Sequence, residues 1–328
     1  MTLHDWITES RRRFEEQPPA TAARRSARAF ARGGIRRVGR HVGGPIWEYG
    51  DWDVLVVLDA CRTDLMREVI REYDALPDVV ETRWSNASCS IDWILRNWTA
   101  GHDAVPRAGY VTANPFADHD WPDCRSADLS DHPVGYLAKL YETHWMELRD
   151  GIATVPPEAV TNHTVAAWRA REDLDVDRLV AHYMQPHEPY ITRPEWGDGD
   201  HRLLENLVDP EKEAGASVWP RLQDGEVDRA EFWAAYKDNL RWVLDDVTER
   251  LLPNVEGRVA LTADHGNAMG EWGEWHHPPG AIGPAVRRVP YVPVDCVDEG
   301  TLTPTVDLFA GGDGSVDTES QLSALGYV

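Results

Sequence analysis

Apolar runs of strand length, separated by helical stretches, constrain the fold of this chain more than any other feature of its sequence. The run VLVVLDA, from Val54 to Ala60, is short and continuous, which is typical of a parallel strand buried on both faces. Three further strands are predicted at Ala108 to Thr112, Leu179 to Met184 and Arg258 to Thr262. Because strands that alternate with helices build parallel sheets, the sequence predicts an α/β domain with a mainly parallel sheet and helices on both faces.

The predicted helices lie between these strands. They are expected at Thr63 to Tyr73, at Val134 to Leu148, near Asp173 and at Ala230 to Leu251. In an open parallel sheet, ligands bind beyond the carboxyl ends of the strands. The segments 53–65, 180–191 and 261–280 each carry Asp or His where a predicted strand ends, so a functional site is expected there.

Size and charge exclude several classes of protein. A chain of 328 residues with 42% hydrophobic content can bury a large core, so extended disorder is not expected. The net charge of −23 argues against a nucleic-acid-binding protein, because phosphate backbones attract Lys and Arg. Lysine occurs only at positions 139, 212 and 237, a composition that resembles proteins of salt-loving archaea. An ordinary acidic protein encoded by a GC-rich genome is the alternative.

The cysteines and the apolar segments predict the compartment. Cys61, Cys89, Cys124 and Cys296 are far apart and show no CxxC spacing, which argues against a zinc knuckle or a disulfide scaffold and favours a reducing compartment. No apolar run approaches the ~18 residues of a membrane span, and the N-terminus has no apolar core of a signal peptide. The protein is therefore expected in the cytoplasm.

The first fifty residues differ from the rest in charge. They hold ten Arg and five acidic residues, so residues 1–50 carry +5 and residues 51–328 carry −28. We expect residues 1–50 to form an Arg-rich arm, helical around Ala22 to Val42, ahead of one domain over 51–328 with an insertion or lid at 193–226. The arm could contact an anionic membrane surface or a nucleic acid, but the favoured interpretation is that it docks on the acidic body of its own chain.

Carboxylates at the ends of the apolar runs predict a metal site. Asp59 and Asp264 each end such a run, and a buried carboxylate is costly unless it is paired or bound to a metal. His265 adds a nitrogen ligand directly after Asp264. Each residue alone could instead be a helix cap or a structural histidine, but together they predict a site for Mn²⁺, Zn²⁺ or Mg²⁺. Ca²⁺ is less suited to a site that contains imidazole.

Four segments of the chain resemble the alkaline phosphatase superfamily, in particular its sulfatase-like branch. They are VLDACRTD, QPHEPY, TADHG followed by GEWGEWHHP, and the ending QLSALGYV, in the order and spacing of the family. The resemblance covers most of Trp52 to Val328. It implies an alkaline-phosphatase-like fold of three layers, and an enzyme that acts on an anionic phosphate or sulfate ester.

The resemblance also implies roles for particular residues. The implied metal ligands are Asp59, Ser90, Asp264 and His265. The implied catalytic residues are the nucleophile Ser90 and the histidines His187 and His277. The residues implied to bind substrate are Arg62, His182 and His276. For the nucleophile, Cys89 and Ser88 are the nearby alternatives. A serine needs contact with a cation that lowers the pKa of its hydroxyl, because a free serine is a poor nucleophile at neutral pH.

Three departures from the family pattern bear on the reaction. Ala60 stands where the family usually has a second Asp, and Asn267 stands where it often has Glu. Cys89 is followed by Ser90, Ile91, Asp92 and Trp93, whereas the signature for formylglycine formation requires Pro and Arg two and four residues after the Cys. A sulfatase of this family depends on that modification, so phosphate or phosphonate esters are favoured over sulfate esters.

Two functions are therefore open on the sequence alone. The leading hypothesis is a metal-dependent hydrolase or transferase that acts on phosphate or sulfate esters through a metal-activated serine. The alternative is a non-catalytic protein of the same fold that serves as a binding protein in surface-glycan or lipid assembly.

Overall fold

The computed structural model describes residues 3–39, 42–99, 101–118, 127–149, 152–196, 218–306 and 308. Cys124, residues 197–217 of the expected insertion and the ending QLSALGYV lie outside these ranges. The described strands, in chain order, are β1 (Val54–Leu58), β2 (Glu81–Trp84), β3 (Ala108–Thr112), β4 (Tyr136–Lys139), β5 (Met146–Arg149), β6 (Ile152–Thr154), β7 (Arg178–Tyr183), β8 (Gly257–Thr262), β9 (Ala268–Met269), β10 (Trp275–His276) and β11 (Arg288–Cys296).

Seven of these strands form one sheet in the order β2-β11-β8-β1-β7-β3-β4. The five strands from β8 to β4 are parallel, whereas β11 runs antiparallel to both β8 and β2. In the central strand β1, Val56 lies opposite Ala181 of β7 and Leu261 of β8, and every residue of the strand is buried. The predicted fold class, α/β with a mainly parallel sheet, is confirmed.

The described helices are α1 (Leu3–Glu16), α2 (Pro19–Gly39), α3 (Thr63–Val69), α4 (Ser90–Trp98), α5 (Pro157–Arg169), α6 (Val218–Gln223), α7 (Arg229–Asp246) and α8 (Pro284–Arg287). Two predicted helices are confirmed. A 3₁₀ turn extends α3 to Glu72, and a π-helical turn extends α7 to Leu251. None of the helices in the described ranges is both long and apolar enough to cross a membrane.

The helix predicted at Val134 to Leu148 is wrong. This segment forms β4, a 3₁₀ turn at Leu140–Glu142 and most of β5. The reason is tertiary, because β4 completes the sheet by pairing in parallel with β3, from Gly109 opposite Tyr136 to Thr112 opposite Lys139. Pairing with a neighbouring strand overrides local helix propensity.

The helix predicted near Asp173 is also wrong in position. Residues 170–175 form turns, and Asp175 has a left-handed backbone conformation with φ of 54°. The helix of this region is α5, which begins at Pro157 and packs against β7 and α7. Proline at the first helical position followed by Glu158 is a start signal that the sequence contained, because proline lacks only an N–H that the first turn cannot use.

The buried guanidinium of Arg287 joins the first fifty residues to the sheet domain. It is fully buried and donates to the carbonyl oxygens of Ser85 at 2.9 Å, Gly39 at 2.8 Å and Ala281 at 3.2 Å, and also to that of Val42. Burial lowers the pKa of Arg287 to about 10, so the side chain is still charged at neutral pH. One cation therefore satisfies four carbonyl groups from separate parts of the chain.

We predict that Arg287→Met lowers the free energy of unfolding by about 3 kcal/mol, because the buried carbonyl groups lose a charged donor and the methionine supplies none. Urea unfolding followed by circular dichroism measures the change. The matched control is Arg288→Met, whose side chain is exposed, and a change within about 0.5 kcal/mol is expected there. Equal effects of the two substitutions would contradict the structural role of Arg287.

Candidate active site

Carboxylates and a histidine meet at the carboxyl ends of neighbouring strands. Asp59 follows β1, and Asp264 and His265 follow β8, the parallel neighbour of β1. Ligand atoms of these three residues all lie within 4.8 Å of one another, and all three side chains are buried. The parallel pairing of the two strands thus brings together residues that are far apart in the sequence.

Backbone contacts fix the Asp264–His265 pair. Asp264 Oδ1 accepts hydrogen bonds from the backbone N–H groups of Ala60 at 2.9 Å and of His265 at 2.8 Å. The next residue, Gly266, lies so close to the backbone of Ala285 that a Cβ would collide with the carbonyl oxygen of that residue. Glycine is therefore required where the chain leaves the two candidate ligands.

Asp59 is the less stabilised of the two carboxylates. Its Oδ2 accepts hydrogen bonds from Asn114 Nδ2 at 2.7 Å and Ser90 Oγ at 3.2 Å, whereas its Oδ1 has no hydrogen-bond partner among the described residues. Burial, and then the charge of Asp264, raise the pKa of Asp59 well above its usual range. Burial is also the largest influence on Asp264 and acts to raise its pKa, but His265 and His182, together with the hydrogen bonds from Ala60 and Ser90, hold the pKa below its usual range. A nearby cation would stabilise the ionised carboxylate of Asp59 and so lower its pKa.

The donor atoms fit a divalent cation. Asp264 Oδ2, like Asp59 Oδ1, is buried without a hydrogen-bond partner in the described part of the chain. His265 Nδ1 donates to the carbonyl of Gly266 at 3.1 Å, which leaves Nε2 as an acceptor 3.3 Å from Asp264 Oδ2. Burial lowers the pKa of His265 and so favours the neutral imidazole that binds metals. Two carboxylates and an imidazole, with Ser90 beside them, would suit Zn²⁺, Mn²⁺ or Mg²⁺.

Ser90 lies at this cluster as the first residue of α4. Its Oγ is 3.2 Å from Asp59 Oδ2 and 3.2 Å from His265 Nε2. The backbone N–H groups in the first turn of a helix have no acceptor within the helix, and the helix dipole adds positive potential there. A hydroxyl, a cation site and a helix N-terminus therefore stand together, an arrangement suited to an anionic group.

The two alternative nucleophiles are placed differently. Ser88 donates its hydroxyl to the carbonyl of Pro278 at 3.0 Å. Cys89 precedes α4 and is buried, and burial followed by the charge of Asp92 raises the pKa of its thiol to about 12. Neither has the contacts with the carboxylates that Ser90 makes, so the geometry favours Ser90.

Three partly buried histidines form a second cluster beside the first. Nitrogen atoms of His187, His276 and His277 lie within 4.8 Å of one another, and the Nε2 atoms of His187 and His277 are 3.2 Å apart. The ring of His277 lies over that of His265, with centroids 4.3 Å apart. Burial, and then the neighbouring histidines, lower the pKa of His277 well below its usual range. This histidine cluster therefore adjoins the carboxylate cluster and is more open to solvent.

Two separate loops supply the histidine cluster. His187 follows β7, and its loop is held by Asn239 of α7, whose Nδ2 donates to the carbonyls of His187 at 2.9 Å and Pro189 at 3.0 Å. His276 and His277 come from the small antiparallel pair of β9 and β10. The sheet topology therefore decides which histidines meet.

Arg62 was expected to bind the substrate, but its guanidinium is engaged elsewhere. It is nearly buried and pairs with Asp64 at 2.6 Å and Glu271 at 2.9 Å, and it donates to the carbonyl of Asn267 at 2.6 Å. Burial lowers the pKa of Arg62, but the two ion pairs outweigh burial and raise it overall. In this structure Arg62 braces the loop after β8, because two carboxylates already occupy the donors that a substrate would need.

His182 is also placed differently from its expected role in binding substrate. It lies on β7, fully buried, with Nε2 3.7 Å from Asp59 Oδ2 and 3.9 Å from Asp264 Oδ2. Its Nδ1 lies 2.7 Å from the hydroxyl of Tyr110, and burial lowers its pKa to about 4. His182 thus lines the carboxylate cluster from the sheet side, out of contact with solvent.

The sequence interpretation overlooked residues that the structure brings to the site. Asn114, which binds Asp59, follows the predicted strand at Ala108 to Thr112, and its place at a strand end is a signal that could have found it. Trp219 of α6 lies against His276, with ring centroids 4.8 Å apart, and its Nε1 donates to buried Glu188 at 2.9 Å. No local pattern predicts the position of Trp219, because only the fold brings α6 to the histidines.

Comparison with known proteins finds similarity to solved structures only. No family model and no curated protein matches the sequence. The soluble domain of lipooligosaccharide phosphoethanolamine transferase A from Neisseria meningitidis matches with 15% identity and a TM-score of 0.42, over 77% of this chain and 79% of that one. A putative sulfatase from Bacteroides thetaiotaomicron matches with 11% identity and a TM-score of 0.42, over 74% and 64%. The lipoteichoic acid synthase LtaP from Listeria monocytogenes matches with 11% identity and a TM-score of 0.41, over 83% and 72%. Similarity at this level does not assign an activity, which has to be argued from the residues of this chain.

We predict opposite effects of Asp59→Asn on stability and on metal binding. In protein stripped of metal, the substitution should raise the free energy of unfolding by about 1–2 kcal/mol at neutral pH, because it removes the carboxylate that ionises unfavourably. The folded-state pKa of Asp59 is raised, so the gain appears above the unfolded pKa of about 3.9 and is lost as the pH falls to that value. Chemical unfolding in the presence of a chelator at several pH values measures it.

Metal affinity should fall at the same time, because a ligand is removed. Calorimetric titration with Zn²⁺ or Mn²⁺ should show affinity at least about 100-fold weaker for Asp59→Asn, more than the loss of an outer partner causes. Asp64→Asn is the control, since Asp64 is an exposed carboxylate paired with Arg62, and its metal affinity should not change. Unchanged metal affinity in Asp59→Asn would remove this residue from the site.

Proposed function

We propose that this protein is a metal-dependent hydrolase or transferase that cleaves anionic phosphate esters, with Ser90 as the nucleophile. The observation that carries the proposal is the position of the Ser90 hydroxyl, which lies 3.2 Å from both Asp59 and His265 at the N-terminus of α4. A divalent cation bound by Asp59, Asp264 and His265 would lower the pKa of the Ser90 hydroxyl and neutralise part of the substrate charge.

Ser90 and the first turn of α4 have separate roles in the proposed cleavage of the ester. Ser90 Oγ forms a bond to phosphorus while the bond from phosphorus to the leaving ester oxygen breaks. The Ser90 hydroxyl lies 3.2 Å from both Asp59 Oδ2 and His265 Nε2, and its proton is released to solvent when the hydroxyl ionises. The amides of the first turn of α4 are placed to bind phosphoryl oxygens. The resulting ester on Ser90 is then released by water in a hydrolase, or by an acceptor hydroxyl in a transferase.

The histidine cluster supplies the protons for this reaction. The cluster of His187, His276 and His277 adjoins His265 and is open to solvent, so one of its members can donate a proton to the leaving oxygen. His187 suits this role because its Nδ1 contacts the carbonyl of Glu188 at 2.9 Å, which leaves Nε2 directed at the cluster. The sequence resemblance to the sulfatase-like branch supports the same assignment.

Two observations support phosphate over sulfate esters. The residues after Cys89 lack the Pro and Arg of the formylglycine signature. The thiol of Cys89 is buried outside the carboxylate cluster, whereas an unmodified serine reaches it. An unmodified alcohol can attack phosphorus in a site of this kind, so the substrate class follows from the chemistry of the nucleophile.

We predict that Ser90→Ala lowers the turnover of a phosphate ester by about 10³-fold or more, since loss of a nucleophile in a concerted site costs orders of magnitude in rate. His187→Ala should cost about 10²–10⁴-fold, as expected for a proton donor. Metal affinity, measured by titration, should be largely kept in Ser90→Ala, because a neutral hydroxyl contributes little beside two carboxylates. Ser88→Ala and Cys89→Ala are the matched controls and should keep most of the activity.

Full activity in Ser90→Ala, combined with loss in one of the two controls, would transfer the role of nucleophile to that neighbour. Absence of turnover in the parent protein with every metal and reporter would favour a non-catalytic binding protein.

We also predict that aryl phosphate monoesters or diesters are cleaved faster than the aryl sulfate with the same leaving group. The comparison uses one leaving group, so the rates differ only through the transferred group. Mass spectrometry of the peptide that contains Cys89 should show an unmodified thiol. An aldehyde at Cys89, together with faster sulfate cleavage, would contradict the preference for phosphate.

A further inference from the structure

The first fifty residues contain a helical hairpin that leaves several of its described apolar side chains exposed. Helices α1 and α2 fold back on each other, and Trp6 Nε1 donates to the carbonyl of Ser26 at 2.9 Å. The residues buried in the described part of the hairpin are small, namely Ser10, Ala22, Ser26 and Gly39. Three larger apolar side chains are exposed, with exposed fractions of 37% for Ile7, 50% for Phe14 and 58% for Phe30, although Phe30 also contacts the half-buried ring of Trp6, with centroids 5.2 Å apart. Half of the six exposed large apolar residues of the described chain lie on this short hairpin.

Helix α2 combines an exposed apolar face with a strong positive charge. The exposed apolar face consists of Ala20, Ala23, Ala27, Phe30 and Ala31, which follow one another at helical spacing. The same helix holds six Arg and no acidic residue. In the helical register, positions 25, 28, 32 and 36 share a different face. A shallow apolar face beside a cationic face is typical of helices that lie in the interface of a membrane.

The arm arginines whose side chains the structure describes are not paired with the acidic body. Among those whose side chains the structure describes, Arg12 and Arg13 pair with Glu9 of the same helix. Arg11, Arg24 and Arg25, whose side chains are also described, form no ion pair with a described carboxylate. The first fifty residues join the body through the carbonyls of Gly39 and Val42, which accept from Arg287, and through buried Ile46, whose N–H donates to Asn97 Oδ1 at 3.0 Å. The described arginines therefore add no ion pair between the arm and the body, and docking of the arm by charge stays a prediction.

We propose that the α1–α2 hairpin binds an anionic lipid surface, with the apolar face of α2 and Phe14 entering the interface and the arginines contacting lipid phosphates. Charge complementarity selects this partner. A second copy of an arginine-rich helix would be repelled, and a nucleic acid would leave the exposed phenylalanines in water. The charge of −28 on the body is screened beyond about 8 Å at physiological salt, so it does not prevent contact by the arm.

Co-sedimentation of the full chain with vesicles tests this proposal. Vesicles of phosphatidylglycerol and phosphatidylcholine in equal parts should bind the protein, and vesicles of phosphatidylcholine alone should bind it at least about tenfold more weakly. The double substitutions Arg24→Gln with Arg25→Gln, and Phe14→Ser with Phe30→Ser, should each weaken binding by about tenfold. Added salt should release the parent protein, because the attraction is partly electrostatic.

Matched pairs on the body are the controls. The first control, Val79→Ser with Val297→Ser, removes two apolar side chains that are each 71% exposed. The second control, Arg71→Gln with Arg258→Gln, removes two exposed arginines. Each control variant should bind within about twofold of the parent. Thermal unfolding checks that every variant is folded. Equal binding to both kinds of vesicle, or to neither, overturns the proposal. A dimer in sedimentation that the phenylalanine variant abolishes would assign the face to a second copy, and retention on DNA would assign it to nucleic acid.

Discussion

The structure is organised around two carboxylates buried side by side at the end of a parallel sheet. Asp59 and Asp264 lie on neighbouring strands, and each leaves one oxygen without a hydrogen-bond partner among the described residues. Burying two like charges is unfavourable, as the raised pKa of Asp59 reflects. The backbone amides of Ala60 and His265, together with Asn114, offset part of this cost, and a divalent cation would offset the remainder.

Chemistry is divided between two groups of side chains that differ in access to solvent. The carboxylate cluster is fully buried and suits a bound cation, whereas the histidine cluster is partly open and suits proton transfer to a leaving group. Helix α4 places Ser90 at the carboxylate cluster. The N-terminus of this helix adds positive potential, which suits an anionic group. Asn239 and Trp219 contact the loop that carries His187, so helices distant in sequence help to set the geometry of the histidine cluster.

The same chain separates its charge by region. The sheet domain is strongly acidic, while α2 is purely basic and keeps an apolar face exposed. Arg287 links the two regions through neutral carbonyl groups and not through a carboxylate. This attachment leaves Arg11, Arg24 and Arg25, whose side chains are described and unpaired, available to a partner outside the chain.

The sequence by itself determined the parallel sheet, because the run from Val54 to Leu58 and the end of β8 are too apolar to stand anywhere but in a core. It also determined that Asp59, Asp264 and His265 follow strands. The tertiary structure alone decided that Val134 to Leu148 is strand and not helix, since pairing with β3 overrides propensity. It likewise placed His182 beneath the carboxylates and engaged Arg62 in ion pairs, because such contacts depend on strand order and loop packing, which local patterns do not encode.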